Sequence, residues 1–209
     1  VLNTIVAEAF DYICTKVEAA LADGKEFNAA LQDVLAEVIK EHKRILFNGD
    51  GYTDEWLEEA AKRGLPNLVT TPEALEVLTT QKAKDVFSKY NVLTNEELES
   101  RYNIYVETYE TLIAIEAATS VDIAKTMIIP AAVTTINEYA SVPAVAGITG
   151  ELSSLLEATV AGIAKVEAAE GPAAQIAAMD ELRAAVDGLE ALVPADIWPM
   201  PSYSELLLG

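Results

Sequence analysis

Apolar residues recur at spacings of three and four along almost all of this 209-residue chain, and no convincing run alternates apolar with polar. That periodicity is the mark of helices with one buried face, and it points to an all-α fold. Leu2, Ile5, Val6, Ala9, Ile13, Val17, Ala20 and Leu21 form the first stripe, which Asp23-Gly24 breaks. Phe27, Leu31, Val34, Leu35, Val38 and Ile39 form the second. Two apolar helices joined by so short a break predict an antiparallel helical hairpin.

Turn and cap residues divide the chain beyond this hairpin. Phe47-Asn48-Gly49-Asp50-Gly51-Tyr52 reads as a tight turn with its glycines at positive φ. Thr53 then caps a short helix with Asp54 and Glu55 in its first turn, and Arg63-Gly64 ends it ahead of Pro66. Thr71 is the expected N-cap of the next helix, with Pro72 at its first position. Residues 82–90 read as helical, and Thr94 with Glu97 forms a capping box. Leu98, Tyr102, Tyr105, Tyr109 and Leu112 then give a 4-3 seam that lands next on Glu116. This long helix is expected to reach about Tyr139 with a kink near Pro130. The chain turns back around Pro143, Gly147 and Gly150. Leu152, Leu156, Thr159, Ile163 and Val166 form another seam; Gly171-Pro172 breaks it; Ile176, Met179, Leu182, Val186 and Leu189 form a third. Three long helices with short breaks predict an up-down bundle. Residues 197–203 are too proline-rich for helix.

The expected organisation is therefore a hairpin and short helices over residues 1–92, a long-helix bundle over 93–192, and a tail over 193–209 that packs back on the fold. Charge is divided in the same way. Residues 1–92 hold 10 basic and 16 acidic side chains, a net of −6, and residues 93–209 hold 4 and 18, a net of −14. The total of −20 argues against nucleic acid and anionic membranes as partners. The most apolar stretch, residues 126–150, is interrupted by Glu138, Pro130, Pro143 and Gly147, and so makes no membrane span. A single Cys allows no internal disulfide, and one Cys with one His excludes the common zinc sites within one chain. The chain opens on Val1 without signal peptide or initiator Met, and reads as part of something longer or a processed product.

No active site emerges from the residues. Cys14 and His42 lie about 13 Å apart in the expected hairpin, too far for a thiol–imidazole dyad. Cys14 reads as a small core residue and His42 as a residue near a helix C-terminus. Asn48-Gly49-Asp50-Gly51 lacks the full glycine fingerprint of a nucleotide loop, and a calcium loop aligned on Gly51 would put Leu46 and Leu57 at ligand positions. Glu55, Glu58 and Glu59 read as a solvated face beside the anchor Trp56, and Tyr102, Tyr105 and Tyr109 as packing residues. The seam carboxylate Glu116 needs a partner or an exposed edge, and the module's cations are Arg101, Lys125, Lys165 and Arg183. The catalytic, cofactor-binding and metal-ligand sets are all expected to be empty. On residues alone, an acidic helical module that docks another protein is one reading.

Several stretches together resemble a known family. Residues 1–9, Val-Leu-Asn-Thr-Ile-Val-Ala-Glu-Ala, look like the last helix of the catalytic domain of type III glutamine synthetases. Residues 42–56, from His42 to Trp56, residues 63–68 and the tail from Trp198 to Leu207 are also similar to that family, with Gly49-Asp50-Gly51 where Gly-Asn-Gly is expected. The resemblance spans essentially the whole chain. It implies a parent that joins ammonia to glutamate with ATP and Mg or Mn, in the cytoplasm, as a homo-oligomeric ring. It also implies that this chain is the non-catalytic C-terminal module, with scaffolding, assembly or modulatory work. The family's metal, ATP and glutamate ligands lie upstream of Val1, so none carries over, and the partners implied are the upstream catalytic domain and neighbouring subunits.

Overall fold

The computed structural model describes residues 1–208 and is all helical, with no strand among them. Its contacts divide it into two compact units, one from Val1 to Val106 and one from Glu107 onward.

In the first unit, α1 (Leu2–Ala22) and α2 (Phe27–His42) form the expected hairpin. Gly24 takes φ 88° at the turn, a conformation that strains any residue with a Cβ. Glu26 caps α2 by accepting bonds from the Asn28 and Ala29 amides. The α2 helix ends at His42, as its position near a C-terminus predicts. A 3₁₀ turn, Lys43–Ile45, leads to the loop before α3 (Asp54–Lys62). Thr53 precedes α3 but does not cap it; its hydroxyl donates instead to the Asp50 carbonyl at 2.8 Å. The cap of α4 (Thr71–Glu76) is Thr70, one residue before the expected Thr71, and it closes a capping box with Glu73. Thr-Thr-Pro offers two hydroxyls, and only Thr70 lies three residues before a glutamate. The chain continues into α5 (Gln81–Lys89). The Thr94–Glu97 box then forms as expected, with both reciprocal bonds, and starts α6 (Asn95–Ile123).

Along α6 the covered face is not a strict 4-3 seam. Leu98 is buried and Tyr102 and Tyr109 half-buried, but Tyr105 and Leu112 are exposed; Ile113 and the buried Ala117 take their places. An α-helix repeats every 3.6 residues, so a face drawn at 3.5 drifts by about 20° per heptad. The drift leaves Glu116 in solvent, where it needs no partner.

In the second unit, α6 passes through a π turn at Ala124–Ile128 into α7 (Ile129–Tyr139). Pro130 has no N–H for the Thr126 carbonyl, and the turn that contains that carbonyl widens. The reversal uses residues 140–145, including a 3₁₀ turn at Pro143–Val145. Gly147 and Gly150, expected in that turn, lie inside α8 (Ala146–Ala168). Gly171, at φ 83°, reverses the chain into α9 (Pro172–Glu190). These two helices run antiparallel: Gly162 faces Leu182, while the earlier Leu155 faces the later Gly188. Between them lie Leu152, Ile163, Val166, Leu182 and Leu189, the seams expected from the sequence. Thr159 is fully buried, and its hydroxyl is satisfied by the Leu155 carbonyl at 2.8 Å. After an irregular stretch the described residues close with α10 (Tyr203–Leu208).

Candidate functional site

The feature that most departs from an ordinary helical domain is the division of α1 into two faces. Thr4 and Val17 are buried, with Glu8, Asp11, Ile13, Lys16 and Ala20 half-buried. Leu2, Ile5, Val6 and Phe10 are exposed, Phe10 by 66% and Leu2 by 74%. The unit has turned the more polar side of this helix inward and left much of its apolar stripe in water. Cys14 lies on that uncovered side, so it is exposed and not the core residue expected from its type.

The inward side is held by charge. Lys89, at the end of α5, donates to Glu8 Oε2 at 2.7 Å and pairs with Asp11 Oδ2 at 2.8 Å. The Tyr90 hydroxyl lies 2.6 Å from Glu8 Oε2 and 2.8 Å from Asp11 Oδ2. A phenol has one proton, so it donates to one of these oxygens at a time, and the ammonium makes the pair of carboxylates tolerable. Bonds from Lys89 and then Tyr90 hold both carboxyls below their ordinary values. Burial, and then its bond to Glu8, pushes the Tyr90 phenol up to about 12. Lys16 makes a similar link to Glu37 of α2 at 2.6 Å.

A second polar hub holds the loop after α2. Arg63 donates to the carbonyls of Leu46 at 2.6 Å and Arg44 at 3.1 Å, and to Glu59 at 2.7 Å. Its guanidinium lies 5.9 Å from the Trp56 ring, which packs on Phe47 with centroids 4.6 Å apart. The expected anchor Trp56 therefore packs within this unit, and Glu59 leaves the solvated trio to pair with Arg63. Gly49 is not at positive φ, and neither is Gly51. At Gly49 the constraint is space, because an added Cβ would come within 2.5 Å of the Phe47 ring.

None of these clusters has the donor set of a metal or nucleotide site. The Glu8–Asp11 pair is already occupied by an ammonium and a phenol, and among the described residues no three His, Cys, Asp or Glu side chains gather around one point. The resemblance implies ATP and divalent metal for the parent, with ligands upstream of Val1, and not for the residues of these clusters.

Residues 30–145, more than half of the chain, match the family model described as glutamine synthetase C-terminal domain. The chain belongs to that family. A glutamine synthetase of Butyrivibrio fibrisolvens is 34% identical across 89% of this chain and 31% of its own length. A type-3 glutamine synthetase of Dictyostelium discoideum is 31% identical across 99% of this chain and 32% of its own. A glutamine synthetase of Bacteroides fragilis is 27% identical across 99% and 33%. This C-terminal domain thus spans about a third of the length of the curated relatives it matches. The matched region contains the Arg63 hub and the α5 clasp, whereas α1 lies before it. Sequence periodicity finds the apolar stripe of α1 but not the clasp, because Glu8, Asp11, Lys89 and Tyr90 are about eighty positions apart and each reads as an ordinary surface residue.

Proposed function

We propose that this glutamine synthetase C-terminal domain serves as the non-catalytic module of a type III enzyme, scaffolding or modulating the catalytic domain that precedes it. The parent ligates ammonia to glutamate with ATP and Mg or Mn in the cytoplasm, and this module takes no catalytic step. Its partners are that upstream domain and neighbouring subunits of a homo-oligomeric ring. The observation that carries the reading is the divided surface of α1. The family match accounts for residues beyond α1, and the exposed Leu2, Ile5, Val6 and Phe10 of α1 form a face that this unit leaves uncovered. A helix gripped on one side by Lys89 and Tyr90 and apolar on the other is suited to join two bodies. In this reading residues 1–92 are the end of the catalytic domain, to which α1 belongs, plus a connecting helical segment, residues 93–192 form the bundle and residues 193–209 the tail.

Sedimentation tests it. Exposed apolar patches of this kind promote association, so the isolated chain should self-associate while a version beginning at Lys25 should do so less. In the full-length parent, Val6→Lys with Phe10→Lys should lower activity or disturb the ring. A parent indifferent to both changes, with both isolated versions equally monomeric, would refute the joining role. Pure isolated chain supplied with glutamate, ammonia, ATP and magnesium should form no glutamine above a blank.

A further inference from the structure

The loop that leads into α3 lifts one aromatic side chain entirely into water. Tyr52 is exposed at 102% of its reference area, the highest value among the large apolar and aromatic side chains described. Ile45, Leu46 and Leu57, before and after it along the chain, are each exposed by half or more.

The backbone that carries this ring is pinned. Arg63 donates to the Arg44 and Leu46 carbonyls, Phe47 packs on Trp56, and Gly49 lies against the Phe47 ring. Asp50 Oδ1 accepts from the Tyr52 amide at 2.9 Å. The hydroxyl and the amide of Thr53 both donate to the Asp50 carbonyl, at 2.8 and 3.4 Å. A flexible loop would lose its freedom on meeting a partner, whereas this one is ordered beforehand. Rigidly presented aromatic side chains are among the commonest anchors of protein interfaces.

Charge around the ring has one sign. Residues 48–59 hold five carboxylates, Asp50, Asp54, Glu55, Glu58 and Glu59, and no Lys or Arg. Arg63 holds Glu59, and Lys62 lies 3.8 Å from Glu58. Asp54 and Glu55, next to Tyr52 in the chain, make no ion pair among the described residues.

We propose that Tyr52 anchors a docking surface whose occupant is the part of the parent enzyme preceding this chain, at an apolar cleft rimmed by Arg or Lys. The apolar cleft follows from the ring and its aliphatic neighbours. The cationic rim follows from Asp54 and Glu55, which also disfavour the same acidic loop of a second copy. The chain matches only about a third of each relative's length, so most of each relative lies outside the matched part. The inference rests on the reading of this chain as a module of a larger enzyme, but it uses a surface separate from α1.

Hydrogen exchange and photocrosslinking in the full-length parent test it. Amides of residues 46–57 should exchange about tenfold more slowly in the parent than in the isolated 209-residue chain. Tyr52→Ala should abolish that difference and Tyr52→Phe should keep most of it. The side chain touches nothing within its own unit, so Tyr52→Ala should leave the thermal midpoint of the isolated chain unmoved. Asp54→Asn with Glu55→Gln should reduce the protection in the parent about threefold. With p-benzoylphenylalanine at position 52, crosslinks should fall on residues that precede Val1. Equal exchange in parent and isolated chain would overturn the proposal, as would crosslinks confined to residues 1–209 of another copy. Protection that survives the loss of both carboxylates would overturn the cationic rim and with it the stated partner. If these experiments fail while the α1 substitutions still disturb the parent, the docking role of Tyr52 alone is refuted; if the α1 substitutions are also silent, the module reading falls with it.

Discussion

The α1–α2 hairpin and the α8–α9 hairpin share the same apolar periodicity and are held together in different ways. Between α8 and α9 the contact is apolar and close. Gly162 sits so near Leu182 that an added Cβ would lie 3.1 Å from its Cα, and Leu152 and Leu189 are completely buried. In the first hairpin the buried residues are few, namely Thr4, Val17, Ala30 and Val34, and ion pairs such as Lys16–Glu37 bridge the helices. Exposed pairs of that kind contribute only about 0–1 kcal/mol each, so the first hairpin is the less self-sufficient of the two. An apolar stripe thus states that a helix face needs cover, and the two hairpins differ in whether their own unit provides it.

The largest expected effect tests that contrast directly. Leu189→Ala should destabilise the chain by about 2–5 kcal/mol in urea unfolding, because it opens a cavity in a closed core. Leu35→Ala, at a site 41% exposed, should cost well under half as much. Equal losses would show that the first hairpin is packed as tightly as the second. Next, Gly162→Val should cost about 1–3 kcal/mol by overpacking the α8–α9 contact. Gly150→Ala in the same helix, where an added Cβ meets nothing within 4 Å, should instead stabilise by about 0.5–1 kcal/mol. A neutral Gly162→Val would mean that the helices separate easily and that their closeness is not what holds them.

Arg63→Lys should be milder, about 1 kcal/mol, since an ammonium cannot reproduce the fork to two carbonyls and Glu59. Trp56 emission should shift toward that of an exposed indole. An unchanged spectrum would mean that Phe47 alone holds the ring.

The smallest effect concerns the clasp on α1. Glu8 and Asp11 have lowered pKa values in the folded chain, so their contribution is present at and above the ordinary carboxylate range and is lost as pH falls through the lowered values. Tyr90 is raised from 10.0 to about 12, so its contribution is present below pH 10 and is lost as pH rises toward 12. Amide exchange in α1 should therefore quicken at both extremes. With Lys89→Met the acid limb should begin at higher pH. If the two profiles coincide, Lys89 does not set the carboxyl affinities.

Much of the architecture obeys local rules that act within a few residues. Gly24, Gly64 and Gly171 take the positive φ that marks helix ends, the Thr94–Glu97 box forms, and the α8 and α9 seams are buried where spacing places them. Local rules miss by one residue where two solutions compete, as at Thr70 and Thr71, or where a 3.5 rhythm is extended along a 3.6 helix to Glu116. Cys14 departs from expectation for a different reason: residue type predicts burial only if the surrounding unit covers that face.

The candidate site divides along the same line. The apolar residues of α1 are legible as a stripe, because a helix repeats its face every three or four positions. Which side of α1 turns inward is not legible, since it depends on Lys89 and Tyr90 reaching Glu8 and Asp11 from a distant part of the chain. Helix formation, capping and turning are decided by bonds that span at most four or five residues, and those are written in order along the chain. Coverage of a face and convergence of charges depend on contacts between segments far apart in sequence, and only packing in three dimensions chooses among them.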